Sequence, residues 1–139
     1  MKKVIYFIEY VTINLFFTLC KLAGYRLASN LGFFIGKTFG KIFRSKALII
    51  QNLRKSKISI NMSENKFAEN VLGNYGRILA EYPFIKDFRN NNLSNFIEID
   101  GVDNLEKIKK INKPVVFISG HFSNFELMAM QIEKSGINL

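Results

Sequence analysis

The stretch that decides the fold is Val115-Val116-Phe117-Ile118-Ser119-Gly120-His121-Phe122-Ser123-Asn124-Phe125-Glu126. Val115 to Ile118 is a short, continuous apolar run, as expected of a strand buried on both faces. Ser119-Gly120 ends it, and His121 follows at once. Asn124-Phe125-Glu126 then opens a helix running to about Lys134, with Gly136 as its stop. A buried strand, a glycine turn and a helix in that order predict an α/β fold. In such folds ligands sit at the carboxyl ends of the strands. His121, the only histidine of the chain, stands at that place.

The spacing is His-x4-Glu. On a strand-to-helix turn, that separation lets the Glu126 carboxylate return beside the His121 imidazole. A carboxylate on one ring nitrogen fixes the tautomer and stabilises the imidazolium, which leaves the other nitrogen to take a proton from an alcohol. Backbone N–H groups at the helix start, near Phe122 to Asn124, would steady a developing oxyanion. The set suits acyl transfer from a thioester to a hydroxyl. Taken alone, His-x4-Glu is a weak pattern, because a lone histidine after a strand more often serves structure. With one His and one distant Cys, no metal-ligand cluster is expected. The G-x-S-x-G of a serine nucleophile elbow is absent around Ser119 and Ser123.

Upstream, Phe96-Ile97-Glu98-Ile99-Asp100 alternates at period two and reads as a half-buried strand turned by Gly101. Asp103 is placed to cap a short helix to about Lys110, and Asn90 to Asn92 form a polar loop. Between Glu64 and Tyr82 the apolar positions Phe67, Val71, Leu72, Tyr75, Ile78 and Leu79 keep a helical period. Ser63 is the cap and Pro83 the end or a kink. Arg77 and Glu81, four apart, are expected to form a surface pair. Arg44 to Lys57 reads as another short helix.

The front of the chain has a different character. Val4 to Leu22 is mostly apolar and long enough to approach a bilayer's thickness, although Glu9 and Asn14 interrupt it. A retained membrane helix, spanning or lying in the interface, is the leading reading. A cleaved signal peptide and a buried core helix are the alternatives. From Tyr25 to Phe43, Gly32, Gly36 and Gly40 fall every four residues and so line one helix face, where small residues admit a second helix. Lys37, Lys41 and Arg44 form a basic stripe beside Phe and Ile residues. This helix either packs within its own domain, lies on a membrane with its lysines at the headgroups, or does both.

The charge arithmetic fits. The 139 residues carry a net charge of +9. Residues 1–57 hold eleven bases and one acid, Glu9, and the remainder is nearly neutral. An anionic partner at the front is implied. Nucleic acid is the less favoured partner and is not expected, since the bases interleave with Phe, Leu and Ile and no recognition pattern appears. The 48% hydrophobic content excludes a disordered chain, and the single Cys20 excludes an internal disulfide. Bases that follow the apolar run closely place the bulk of the chain on the cytoplasmic side.

Gly120-His121-Phe122-Ser123-Asn124-Phe125-Glu126 resembles the G-H-x-G-N-W-E block of the bacterial lipid A late acyltransferases, within the wider H-x4-D/E acyltransferases. Ser123 stands where Gly is usual and Phe125 where Trp is usual. The order of the apolar helix, the glycine-spaced basic segment, Asn52-Leu53, Gly101-Val102 and the Val-rich run agrees over nearly the whole chain. The resemblance implies an N-terminal membrane helix (residues 1–24) followed by the front half of an acyltransferase domain (25–139), its helices packed on a mainly parallel sheet. It implies acyl carrier protein thioester as donor, a lipid A precursor as acceptor, and a location at the cytoplasmic face of the inner membrane. His121 would be the general base, Glu126 its partner, and Ser123 and Asn124 substrate contacts. No cofactor or metal is implied, and the basic front would meet the phosphates of the lipid A precursor, anionic lipids, or the acidic carrier protein. Members of that family are longer, so the chain reads as an N-terminal portion. The 139-residue chain alone is expected to show little or no transferase activity; the alternatives are an inactive membrane-associated fragment and an acyltransferase acting on a phospholipid or glycolipid.

Overall fold

A computed structural model describes residues 2–111, 113–120 and 123–137. Of the described residues 74% are helical, and none lies in a strand. The chain divides into two compact units, Met1–Phe84 and Ile85–Leu139.

In the first unit, α1 (Lys2–Ala23) carries the apolar run. It is long and apolar enough to cross a membrane, and only 6% of its most apolar window is buried. That is consistent with membrane association. Gly24, at φ 80, turns the chain into α2 (Tyr25–Phe39), which ends in a 3-10 turn at Gly40–Ile42. α3 (Lys46–Ser56) begins where the Ser45 hydroxyl accepts from Leu48 N at 3.3 Å. α4 (Glu64–Glu81) begins the same way, with Ser63 accepting from Lys66 N at 3.3 Å. Each cap satisfies one amide that a helix start leaves open. α4 gives way to a 3-10 turn over Tyr82–Phe84 around Pro83. The Arg54 guanidinium forks onto the Glu64 carboxylate at 2.8 and 2.6 Å, tying the end of α3 to the start of α4. The core here is Ile49, Ala68 and Leu72, flanked by Ile50, Phe67 and Val71.

α2 and α4 approach backbone to backbone. A methyl group added at Gly36 would lie 2.5 Å from the Leu72 carbonyl oxygen, and one added at Gly76 would overlap the Gly32 carbonyl oxygen. The four-residue glycine spacing therefore serves packing within the unit. Ala28, Ser29, Gly32 and Gly36 are the buried residues of α2. Small residues permit such close approach because nothing projects between the two backbones.

Arg77 and Glu81 do not form the expected surface pair. Glu81 is buried, and its carboxylate accepts from the Ser29 hydroxyl at 2.7 Å and from the Tyr25 hydroxyl at 3.4 Å. Arg77 instead lies over the Phe33 ring, 4.7 Å from its centroid. A spacing of four fixes the angle between two residues on a helix but not which way that face points. Here it points at α2, where hydroxyls supply the partners that a buried carboxylate requires. Burial, reinforced by the nearby Glu81 charge, pushes the Tyr25 phenol up to about 12.

The second unit holds α5 (Ile85–Arg89), a 3-10 turn at Ser94–Phe96, α6 (Val102–Ile111) and α7 (Glu126–Lys134). The expected α/β architecture with a mainly parallel sheet is not present among the described residues. Ile97 leaves the 3-10 turn in extended backbone, at φ −119 and ψ 127, but residues 97–100 join no ladder among the described residues. The run at 115–118 is irregular, and Val116 and Ile118 are 84% and 93% exposed. Alternation and β-branched runs favour extended backbone, but a strand also needs a neighbour in register to take its amides and carbonyls. α6 starts at Val102 after Gly101 at φ 77, so Asp103 sits in its first turn rather than before it.

Candidate functional site

The motif region leads into α7. Glu126 is the first residue of that helix and supplies its first-turn acid, which suits the positive end of the helix dipole. The first turn is closed by Leu127 N donating to the Asn124 carbonyl and Met128 N donating to the Phe125 carbonyl, both at 3.1 Å. At the other end, Gly136 adopts φ 89 and donates to the Glu133 carbonyl at 2.9 Å, the stop expected from the sequence. α7 buries Met130 and Ile132 and also makes polar ties within its unit. Arg89 meets Glu133 at 2.9 Å and holds its carboxyl below the usual carboxylate range. The Lys134 ammonium donates to the Phe88 carbonyl and to the Asn91 side chain.

Of the four residues singled out in the sequence, Ser123, Asn124 and Glu126 lie together at the start of α7. His121 lies outside the described residues. Ser123 adopts φ 47, in the left-handed region. A β-carbon there costs about 1–2 kcal/mol, and the position is the one where the resemblance expects Gly. Ser123→Gly removes that strain, while the freer unfolded glycine gives back about 0.5–1 kcal/mol. The expected net result is a gain of up to about 1 kcal/mol, read as a raised denaturant midpoint for the transition that includes α7. An unchanged or lowered midpoint would show that the serine side chain compensates for its backbone.

Asn124 has the least satisfied side chain of the three. Its amide nitrogen and oxygen are both buried and have no hydrogen-bond partner among the described residues. Leaving a buried polar group unpaired costs about 1–3 kcal/mol. An asparagine with both ends open can accept and donate at once to a polar ligand group.

Sequence reasoning did not foresee the cleft beside these residues. Residues 96–100, together with Leu127, Met128 and Gln131 of α7, line a cavity of about 410 Å³. Phe96, Ile97 and Ile99 supply apolar wall, and Glu98 and Asp100 alternate with them. Among the described residues, no group of three His, Cys, Asp or Glu gathers to hold a metal ion.

The family model described as bacterial lipid A biosynthesis acyltransferase matches residues 1–139, the whole chain. The chain belongs to that family. Searches of curated proteins and of solved structures returned no significant match. Family membership assigns acyltransferase chemistry in lipid A biosynthesis, which involves an acyl donor and a lipid A-related substrate. Within the acyltransferase, Ser123 and Asn124 lead into the first turn of α7, and Leu127 and Met128 of that turn line the cleft.

Proposed function

We propose that the protein moves a fatty acyl group from acyl carrier protein to a hydroxyl of a lipid A precursor, at the cytoplasmic face of the inner membrane. Membership of the lipid A acyltransferase family, with Gly120 to Glu126 standing as its motif block, is the observation that carries this reading. His121 takes the proton of the acceptor hydroxyl, and Glu126 orients the imidazole and stabilises the imidazolium that forms. The hydroxyl oxygen attacks the thioester carbonyl and the C–S bond breaks. The departing thiolate then receives the proton from the imidazolium. Ser123 and Asn124 contact substrate, and the unpaired Asn124 amide supports that role. Residues 1–24 anchor the chain, and 25–139 carry its part of the acyltransferase domain. The +10 front faces anionic lipids and the phosphates of the acceptor.

The test is an acyl-transfer assay on membranes holding the protein as its gene encodes it, with labelled acyl carrier protein thioester and a lipid A precursor. His121→Ala is assayed beside it. Removing a general base is expected to lower turnover by about 10²–10⁴-fold. Undiminished transfer by His121→Ala would sink the assignment, and transfer only to a glycerolipid would replace the acceptor.

A further inference from the structure

α2 is built inside out for a helix in water. Its small residues, Ala28, Ser29, Gly32 and Gly36, face inward. Apart from Phe33, whose ring packs against Gly73 and Arg77 of α4, its large apolar residues face away from the unit. Leu27, Leu31, Phe34, Ile35 and Phe39 are 47–64% exposed, and the stripe continues through Ile42 and Phe43 at 71% and 89%. A water-facing helix turns its large apolar stripe toward its partner. Small residues between helices with large apolar ones outside are the arrangement found where lipid is the solvent.

Beside this stripe lies a notch of about 460 Å³, lined among others by Phe33, Lys37, Lys41, Lys46 and Glu69. Lys46 pairs with Glu69 at 2.8 Å, so the charges of Lys37 and Lys41 remain in excess. Arg44 extends the basic row and lies 5.0 Å from the centroid of the Tyr75 ring.

We propose that α2 and its following 3-10 turn form a second membrane contact, in which the stripe Leu27–Phe43 sinks into one leaflet of an anionic bilayer and the Lys37/Lys41 notch receives a phospholipid phosphate. Charge selects this occupant over a protein partner. A protein groove would have to match both a wide apolar stripe and a neighbouring basic notch, whereas an anionic leaflet presents phosphate directly above hydrocarbon. The inference rests on the membrane part of the proposed function and extends it from α1 to α2.

The chain contains no tryptophan, so single reporters can be placed. Phe34→Trp and Phe43→Trp probe the stripe, and Leu15→Trp probes α1. Each full-length variant is reconstituted into phosphatidylcholine vesicles with or without phosphatidylglycerol, the lipids carrying bromine near the headgroup end of the chains. Circular dichroism checks that helix content is kept. Phe34→Trp and Phe43→Trp are expected to shift to the blue and lose most of their emission, more strongly when phosphatidylglycerol is present. Adding Lys37→Gln and Lys41→Gln is expected to erase the difference between the two lipid compositions. Quenching of Leu15→Trp without quenching of either stripe reporter would overturn the second contact while leaving the membrane reading intact. A stripe reporter equally quenched in both compositions would overturn the phosphate notch.

Discussion

Gly76→Ala is expected to destabilise the α2–α4 pair by roughly 2–3 kcal/mol. At an exposed helix position the same change stabilises by about 1 kcal/mol, because alanine is the better helix former. The sign reverses here because the added methyl meets backbone. It would overlap the Gly32 carbonyl oxygen and stand 2.8 Å from Gly36 Cα. Backbone cannot rotate out of the way, so the helices must separate and forfeit contact along their shared face. Overpacking in well-filled cores typically costs about 1–3 kcal/mol, and a clash of backbone on backbone belongs at or above the upper end. Gly73→Ala is the comparison. Its methyl would meet the Phe33 ring at 2.7 Å, and a ring at the end of a side chain has room to swing. The measurement is denaturant unfolding in detergent, followed by far-ultraviolet circular dichroism. A smaller loss at Gly76 than at Gly73 would contradict the close approach. Separation of α2 from α4 would also strip Glu81 of its Ser29 and Tyr25 partners, so the Tyr25 phenol should titrate nearer its ordinary value in Gly76→Ala.

Glu126→Gln is expected to reduce acyl transfer by about 10²–10³-fold with little change in stability. As the first residue of α7, the carboxylate contributes under about 1 kcal/mol through the helix dipole, so the helix survives its loss. Its proposed partnership with His121 is different in kind. An amide can still accept a hydrogen bond from an imidazole, but it does not stabilise the imidazolium formed when the hydroxyl proton is taken. The loss should fall on turnover rather than on the Michaelis constant for the acyl donor, since the missing interaction strengthens only as the proton moves. Glu126→Asp should retain part of the activity, because the charge is kept at a shorter reach. A Gln variant that turns over normally would reduce Glu126 to a helix-starting acid.

The helices were legible for local reasons. Ser63 caps where its place before the apolar period suggested, and the period through Phe67, Leu72 and Tyr75 carries α4 to the turn at Pro83. The glycine spacing of α2 correctly announced a close helix neighbour. The sheet was misread because Phe96–Asp100 and Val115–Ile118 specify an extended preference, while a ladder is a property of two segments. The Arg77/Glu81 error has the same root. The environment of Glu81 is set by Ser29 and Tyr25, more than fifty positions away, which no local pattern encodes. In the site, the order Ser123, Asn124, Glu126 at a helix start was readable because turn and helix signals are local. The unpaired Asn124 amide and the cleft along 96–100 arise from tertiary packing, so local patterns did not reveal them.

The inverted polarity of α2 separates two properties that most helices tie together. What α2 binds is written in Ala28, Ser29, Gly32 and Gly36, and which solvent it tolerates is written in Leu27, Leu31, Phe34, Ile35 and Phe39. The two sets share no residue. Redesigning the outer set with glutamate, lysine and glutamine therefore gives a route to a form of this helix pair that needs no detergent, with its α4 partner and its glycine seam unaltered.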